Sequence, residues 1–252
     1  MAQIAAIDMD DTLLRTDGTI SPRTVGSLQR WLRTGRRLVI ATGRPPRSIG
    51  RSLPDELQRI PWICYNGAEI RIGDEVIYRN LIPATAVREI VTQIQTEAPT
   101  ALIGVEIDNV LHLNRVAKRT TPYTVTDLLT LDQPAAKVLL LSESGEPLAR
   151  LACVLPECTR AMYSLRYPHA IQILAQFADK AEALTNLVAD WGVTLADVVA
   201  LGDDVNDVEM VRLCGVGVAV ANAVDEVKAV ADEVTYSNDE DGVAATLEKL
   251  LG

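Results

Sequence analysis

The sequence predicts an α/β protein in which a doubly wound parallel sheet is interrupted by a smaller inserted α+β domain. Short apolar runs alternate with amphipathic stretches over residues 3–65, the same alternation resumes after Leu174, and strand-like runs outnumber helical ones in between. A parallel strand pair needs a crossover, usually a helix, so the alternation implies a parallel sheet, and the strand-rich middle implies an antiparallel one. The expected organisation is a discontinuous core over residues 1–81 and 176–252 with the insertion over 82–175.

Gln3 to Ile7 is an apolar strand ending at Asp8. Ser21 before Pro22 is an N-cap with proline at the first helical position, and Gly35 is a C-terminal stop, so a helix lies between them. Arg37 to Thr42 is the next strand. A second helix is expected from about Pro45 to near Pro54, then a short strand from Trp62 to Tyr65. Gly73-Asp74 between AEIRI and EVIYR marks a hairpin turn. The insertion opens with a helix over Ala84 to Glu97. It continues with ALIGVEI and VLHL around Asp108-Asn109, the strand AKVLLLS, a helix, and the strands RAMYSLRY and HAIQIL. The core resumes with a helix from Lys180 to Trp191 stopped by Gly192, the strand DVVAL, a helix from Val205 to Leu213, the strand GVGVAV and two more helices.

At 252 residues the chain has room for one large domain or two modest ones, and it is long enough to bury a sizeable core without staples. Apolar residues make up 48% but aromatics only 4%, so that core must be built from Ala, Val, Leu and Ile. With 34 acidic against 24 basic residues the net charge is −10, which repels a phosphate backbone and argues against a nucleic-acid partner. No apolar run approaches the roughly 20 residues that span a bilayer, and acids at Asp8, Asp10 and Asp11 interrupt any signal-peptide core. The expectation is therefore no membrane partner. The cysteines Cys64, Cys153, Cys158 and Cys214 lack C-x-x-C spacing, which suits reduced thiols in a cytoplasm. Oligomeric state is not legible.

Asp8 and Asp10 lie two apart just past the first strand, so an extended chain points both side chains the same way. Two carboxylates facing one space divide nucleophile and acid/base roles or share a divalent cation; a solvated acidic loop is the plain alternative. An EF-hand is excluded, because the twelfth position counted from Asp8 is Thr19 and not Glu. Thr42, Gly43 and Arg44 close the second strand at the edge where open α/β folds bind ligands. A hydroxyl and backbone N–H groups there suit phosphoryl oxygens, although Thr-Gly is also a common strand-to-turn transition. Gly202-Asp203-Asp204-Val205-Asn206-Asp207 packs three acids and an amide at a helix start. One cap needs one such residue, so the surplus points to a hard-cation site. Lys180 taken alone is an ordinary surface lysine.

Together these segments resemble haloacid dehalogenase-like hydrolases of the Cof type. The matching residues are a D-x-D-x-T motif at Asp8-Met9-Asp10-Asp11-Thr12, Thr42, Lys180 in DKAEAL, and GDDVND from Gly202 to Asp207. YNGA (Tyr65 to Ala68), VAVANA (Val218 to Ala223) and NDEDGVA (Asn238 to Ala244) carry the likeness through the core in order. Asp204 stands where the family often has Gly, and Asp179 where it often has Ser. The resemblance implies a Rossmann-like core with an α/β cap that selects the leaving group. It implies a Mg²⁺-dependent phosphomonoester hydrolase that works through an aspartyl-phosphate on a small phosphorylated metabolite, a sugar phosphate before others. It further implies Asp8 as nucleophile and Asp10 as acid and then base. Asp8, the Asp10 carbonyl, Asp203 and Asp207, directly or through water, would hold the metal. Thr42, Gly43, Arg44, Lys180 and Asn206 would bind the phosphoryl oxygens. One charge argument stands apart from the resemblance: a carboxylate attacking a phosphate dianion faces like-charge repulsion that a cation must neutralise.

Two alternatives use similar residues. A phosphomutase or phosphotransferase on the same fold passes the phosphoryl group to a sugar. A signalling receiver also phosphorylates an aspartate, but receivers are about half this length and lack a second acid such as Asp10. Other sites find little support. His112 and His169 are too few for a zinc cluster and read as strand residues. There is no G-x-x-x-x-G-K-[ST] and no G-x-S-x-G. GVGVAV reads as a buried strand, and Cys153 and Cys158 as buried small residues.

Overall fold

The computed structural model of the chain describes residues 2–50, 53–119, 121–141, 155–163 and 170–252. Before the insertion come β1 (Ile4–Asp8), α1 (Pro22–Arg33), β2 (Arg37–Ala41), α2 (Pro46–Ile49), β3 (Pro61–Cys64), β4 (Glu69–Ile72) and β5 (Glu75–Arg79). The insertion holds α3 (Ala84–Glu97), β6 (Leu102–Ile107), β7 (Val110–Leu113), β8 (Thr124–Val125), β9 (Lys137–Leu141), β10 (Thr159–Tyr163) and β11 (Ala170–Ala175). The remainder is α4 (Lys180–Asp190), β12 (Val198–Gly202), α5 (Val208–Leu213), β13 (Val216–Ala219), α6 (Asp225–Lys228), β14 (Glu233–Val234) and α7 (Gly242–Leu251). The chain divides into two compact units, one of Met1–Tyr78 with Asp179–Gly252 and one of Arg79–Ala178. The second unit starts three residues earlier and ends three residues later than the 82–175 read from sequence.

The first unit is built on an eight-stranded sheet in the order β14-β13-β12-β1-β2-β3-β4-β5. Every pair from β14 across to β3 is parallel. The parallel pattern ends at one edge, where β4 runs antiparallel to β3. Only the turn Tyr65–Gly67 and Ala68 separate these strands, far short of the dozen or more residues a parallel crossover takes. The second unit has a sheet in the order β10-β11-β9-β6-β7-β8, antiparallel throughout except for β7 with β8. The expected α+β insertion and α/β core are both present.

The central strands are apolar at consecutive positions because helices cover both faces. Ile4 and Ala6 of β1, Val39 and Ala41 of β2, and Val198 and Ala200 of β12 pack with Ala181, Leu184, Leu187 and Val188 of α4 and Met210 of α5. The intervening residues point the other way by the two-residue strand period, toward the side where α1 packs against α7 and β2. In α1, Ser21 accepts from the Thr24 backbone N–H at 3.0 Å, and Pro22 fills the first helical position, as the sequence predicts. Its buried face carries Leu28 and Trp31, each contributing about 1.5–3 kcal/mol of burial. The Trp31 indole N–H is satisfied by Arg37 O at 2.9 Å, which ties α1 to the start of β2.

Some local expectations need correcting. The helix expected from Pro45 to Pro54 is a single turn, Pro46–Ile49, capped at Gly50, with a separate 3₁₀ turn at Asp55–Leu57. The helix expected from Val205 begins at Val208, after a 3₁₀ turn over Val205–Asp207 that capping contacts tighten. The two-residue strands β8 and β14 were not anticipated, since two residues carry no periodicity. Cys158 is exposed on the turn before β10, not buried, whereas Cys64 and Cys214 are buried free thiols. His112 lies on β7 as expected. The helix expected after AKVLLLS, the second half of RAMYSLRY, His169 and Cys153 lie outside the described residues. Among the described residues no helix is long and apolar enough to cross a membrane.

Candidate active site

β1, β2 and β12 are neighbours in the sheet, so their carboxyl ends deliver Asp8, Thr42 and Asp203 to one edge. The start of α4 adds Lys180 to the same place. The Lys180 ammonium is fully buried and donates to Asp8 Oδ1 at 2.5 Å and to Asp207 Oδ1 at 2.7 Å. It is therefore no surface lysine. Two local features aim it. Asp179 caps α4 by accepting from the Ala181 N–H at 2.8 Å, so this departure from the family pattern serves as a cap. Gly67, at φ +98°, lets the β3–β4 turn lie against the helix start: a Cβ there would sit 2.1 Å from Asp179 O.

The acidic segment after β12 separates into distinct tasks. Asp204 Oδ1 accepts from the Val205 N–H at 2.8 Å and caps the following turn. Asp207 Oδ2 accepts from the backbone N–H groups of Asp203 and Asp204 at 3.1 and 3.2 Å. Asp203 Oδ1 accepts from the Thr12 hydroxyl at 2.9 Å. Asp204 thus supplies the cap, and Asp8, Asp203 and Asp207 remain as a buried group whose ligand oxygens lie within 4.8 Å of one another. Asp204, one of the three surplus acids of this segment, stands outside that group, because its carboxylate is turned to the cap.

Three carboxylates against one ammonium leave a formal excess of two negative charges in a buried space. Burial first, then Asp207 and Asp203, push the Asp8 carboxyl well above its usual value, against the opposing pull of Lys180. Burial alone would lower the Lys180 ammonium, but Asp207 and Asp8 outweigh it and hold its pKa above the usual lysine value. An all-oxygen donor set with this excess of negative charge fits a hard divalent cation.

Asp10 and Arg44 form a second element. The wide turn Met9–Leu13 ends the extended run at Asp8, so Asp10 does not continue the strand. Its carboxylate is half-exposed and takes a bidentate pair from Arg44, Nε to Oδ2 at 2.8 Å and Nη2 to Oδ1 at 2.5 Å. Arg44, read from sequence as a phosphate ligand, is thus engaged with Asp10. Thr42 is buried, and its hydroxyl accepts from the Arg44 N–H at 3.1 Å. Asn206 donates to Asn66 Oδ1 at 2.8 Å.

Asn66 is a residue the sequence reading passed over, although it lies inside YNGA. It is buried in the left-handed region at φ 56°, donates its N–H to Thr42 O at 3.0 Å, and packs so close to Gly43 that a Cβ there would lie 2.9 Å from its Oδ1. The signal available was an asparagine before glycine straight after a strand, a left-handed turn pair. Gly202 has a comparable role: a Cβ there would meet Asp207 Cβ at 2.4 Å. Gly202→Ala should therefore displace Asp207 from Lys180 and, on the catalytic reading proposed below, lower turnover about 100-fold, the scale of a misplaced group. Steady-state rates beside a circular-dichroism spectrum check this, and wild-type turnover would contradict it.

The haloacid dehalogenase-like hydrolase family model matches residues 5–247. The 5-amino-6-(5-phospho-D-ribitylamino)uracil phosphatase YitU of Bacillus subtilis (strain 168) is 30% identical over 98% of this chain and 96% of its own length. The HMP-PP phosphatase of Enterobacter sp. (strain 638) is 29% identical over 90% of this chain and 86% of its own. The crystal structure of a haloacid dehalogenase-like hydrolase from Bacteroides thetaiotaomicron superimposes with a TM-score of 0.85 at 30% identity, covering 99% of this chain and 100% of that one.

Proposed function

This chain is a phosphatase of the haloacid dehalogenase-like hydrolase family, and from that premise we propose that it is a Mg²⁺-dependent phosphomonoester hydrolase acting through an aspartyl-phosphate on a small phosphorylated metabolite. The observation that carries this reading is the buried Asp8–Lys180–Asp207 group beside Asp203 at the carboxyl ends of β1 and β12. Asp8, Asp203 and the Asp10 carbonyl would hold Mg²⁺. Both Asp207 oxygens already accept hydrogen bonds, which suits contact through water. When bound, the cation offsets the charge of the carboxylates and of the phosphate dianion.

The chain's own residues account for the remaining steps. Lys180 aims the Asp8 carboxylate, whose Oδ attacks phosphorus as the bond to the leaving oxygen breaks. Thr42, Lys180, Asn206 and the Gly43 and Arg44 segment hold the equatorial oxygens as charge develops. Asp10 gives its proton to the departing alkoxide and then takes one from the water that cleaves the aspartyl-phosphate, so free enzyme and inorganic phosphate are regenerated.

Relatives named for a ribitylaminouracil phosphate and for HMP-PP support a small phosphorylated metabolite as substrate. A sugar phosphate is our specific assignment, with the cytoplasm as the place of action. The family match over 5–247 favours hydrolysis over a receiver role, and no observation favours transfer to a second sugar.

A phosphate-release panel of metabolites with Mg²⁺ tests the reaction, and Asp10→Asn tests its mechanism. With a sugar phosphate, the variant should form the aspartyl-phosphate about 10²- to 10⁴-fold more slowly. With p-nitrophenyl phosphate, whose leaving group needs little protonation, the first step should be nearly kept and phosphoenzyme should accumulate. Equal losses on both esters in rapid-quench trapping, with no accumulation, would remove Asp10 from acid–base catalysis.

A further inference from the structure

Asp10 and Asp11 interrupt the turn after β1 with non-helical backbone: Asp10 is extended (φ −78°, ψ 128°) and Asp11 is left-handed (φ 57°, ψ 11°). Aspartate enters the left-handed region more readily than most residues, and contacts from its surroundings fix it there. Two asparagines far along the chain do so here. Asn222, after β13, donates Nδ2–H to Asp11 O at 2.8 Å. Its Oδ1 accepts the Asn238 backbone N–H at 2.9 Å. Asn238, which is buried, donates its own Nδ2–H to Leu14 O at 3.0 Å. The relay thus grips the turn at Asp11 and again at Leu14. It also fixes the Asn222 amide, because the opposite orientation would set donor against donor and acceptor against acceptor. Two contacts extend the grip outward, Thr16 N–H to Asp239 Oδ1 at 2.9 Å and Arg15 to Asp241 at 2.8 Å.

We infer that Asn222 and Asn238 are positioning residues for Asp10. The peptide between Asp10 and Asp11 has the Asp10 ψ on one side and the left-handed Asp11 φ on the other. The Asp11 carbonyl lies one peptide further on, so holding it fixes the Asp11–Thr12 peptide and, through the left-handed φ and ψ of Asp11, the direction in which Asp10 presents its carboxylate. This rests on the acid–base role proposed for Asp10 and gives VAVANA and NDEDGVA a task in the reaction, beyond packing.

Asn222→Asp and Asn238→Asp are near-isosteric tests. The first keeps the acceptor for the Asn238 N–H but sets an oxygen against Asp11 O; the second sets one against Leu14 O. Single-turnover rapid quench on the sugar phosphate that wild-type enzyme hydrolyses fastest should show Asp8 phosphorylation slowed about 10- to 100-fold, with KM changed less than about threefold. The same step with p-nitrophenyl phosphate should fall less than about threefold, because a poorly aimed acid matters little to an activated leaving group. A purely structural role would slow both esters alike and lower the melting temperature in step; that result, or no loss on either ester, would overturn the inference. Asp10→Asn run alongside separates the two levels. If it shows the ester-dependent split and neither asparagine variant does, the relay assignment fails alone; if it shows no split, the Asp10 role falls and the inference with it. Should one asparagine variant fail to fold, the other carries the same comparison.

Discussion

Asp8→Asn is expected to abolish turnover, with a loss of at least about 10⁴-fold in kcat, the scale seen when the nucleophile of an interdependent catalytic group is removed. The fold should survive. The carboxamide fills the same space at the end of β1, and Lys180 keeps its 2.7 Å contact with Asp207. The substitution also separates function from stability. In chelator, the Asp8 carboxyl of the wild-type protein has a pKa raised above its unfolded value by burial and by Asp207 and Asp203. In the pH window between the unfolded and the folded pKa, the native state holds a proton that the unfolded chain has lost. Stability therefore falls as pH rises through that window and levels off above the folded pKa. Asp8→Asn lacks this fall, so at neutral pH in chelator it should melt no lower than wild type. Melting curves over a pH series, beside phosphate release, check both parts. Residual turnover near wild type would end the nucleophile assignment; a clear drop in melting temperature would mean that the Asp8–Lys180 contact outweighs the cost of burying the charge.

Removal of the divalent cation is expected to have an effect of the same size. Exhaustive chelation should silence the enzyme, and Mg²⁺ should restore it better than Ca²⁺, whose larger and looser oxygen coordination misplaces an in-line attack. The second readout is binding. Because the buried carboxylates come together only in the folded chain, Mg²⁺ at about 100 times its Kd should stabilise the protein by about 2.7 kcal/mol, visible as a raised melting temperature. Asp203→Asn should lose most of that shift, since it removes one charge from the group of three. Full activity after chelation, or an undiminished shift in Asp203→Asn, would refute the assignment of these carboxylates to a cation.

Much of the architecture was legible because it depends on local pattern. The apolar runs around Ala5, Val39 and Val199, separated by helices with readable ends such as Ser21-Pro22 and Gly35, are enough to specify parallel strands with crossovers. What failed was short or set by neighbours. Two-residue strands have no period, the helix from Pro46 stops after one turn at Gly50, and β4 is antiparallel because so short a turn allows nothing else.

The candidate site divides in the same way. By itself, the sequence determined which carboxylates sit at strand ends, that Gly202–Asp207 holds more acid than one cap needs, and that its motifs resemble one hydrolase family. Only the tertiary structure decided how those groups are shared out. Lys180, unremarkable in sequence, is buried between Asp8 and Asp207, which lie 172 and 27 residues away. Asp204 is spent on a cap while Asp203 joins Asp8. Arg44 turns to Asp10, and Asn222 and Asn238 reach back to the turn that begins at Met9. The physical reason is range: strand and helix signals are written in neighbouring residues, whereas the charge state and aim of a buried side chain depend on partners brought from across the chain, and on the low dielectric that forms once the sheet has closed around them.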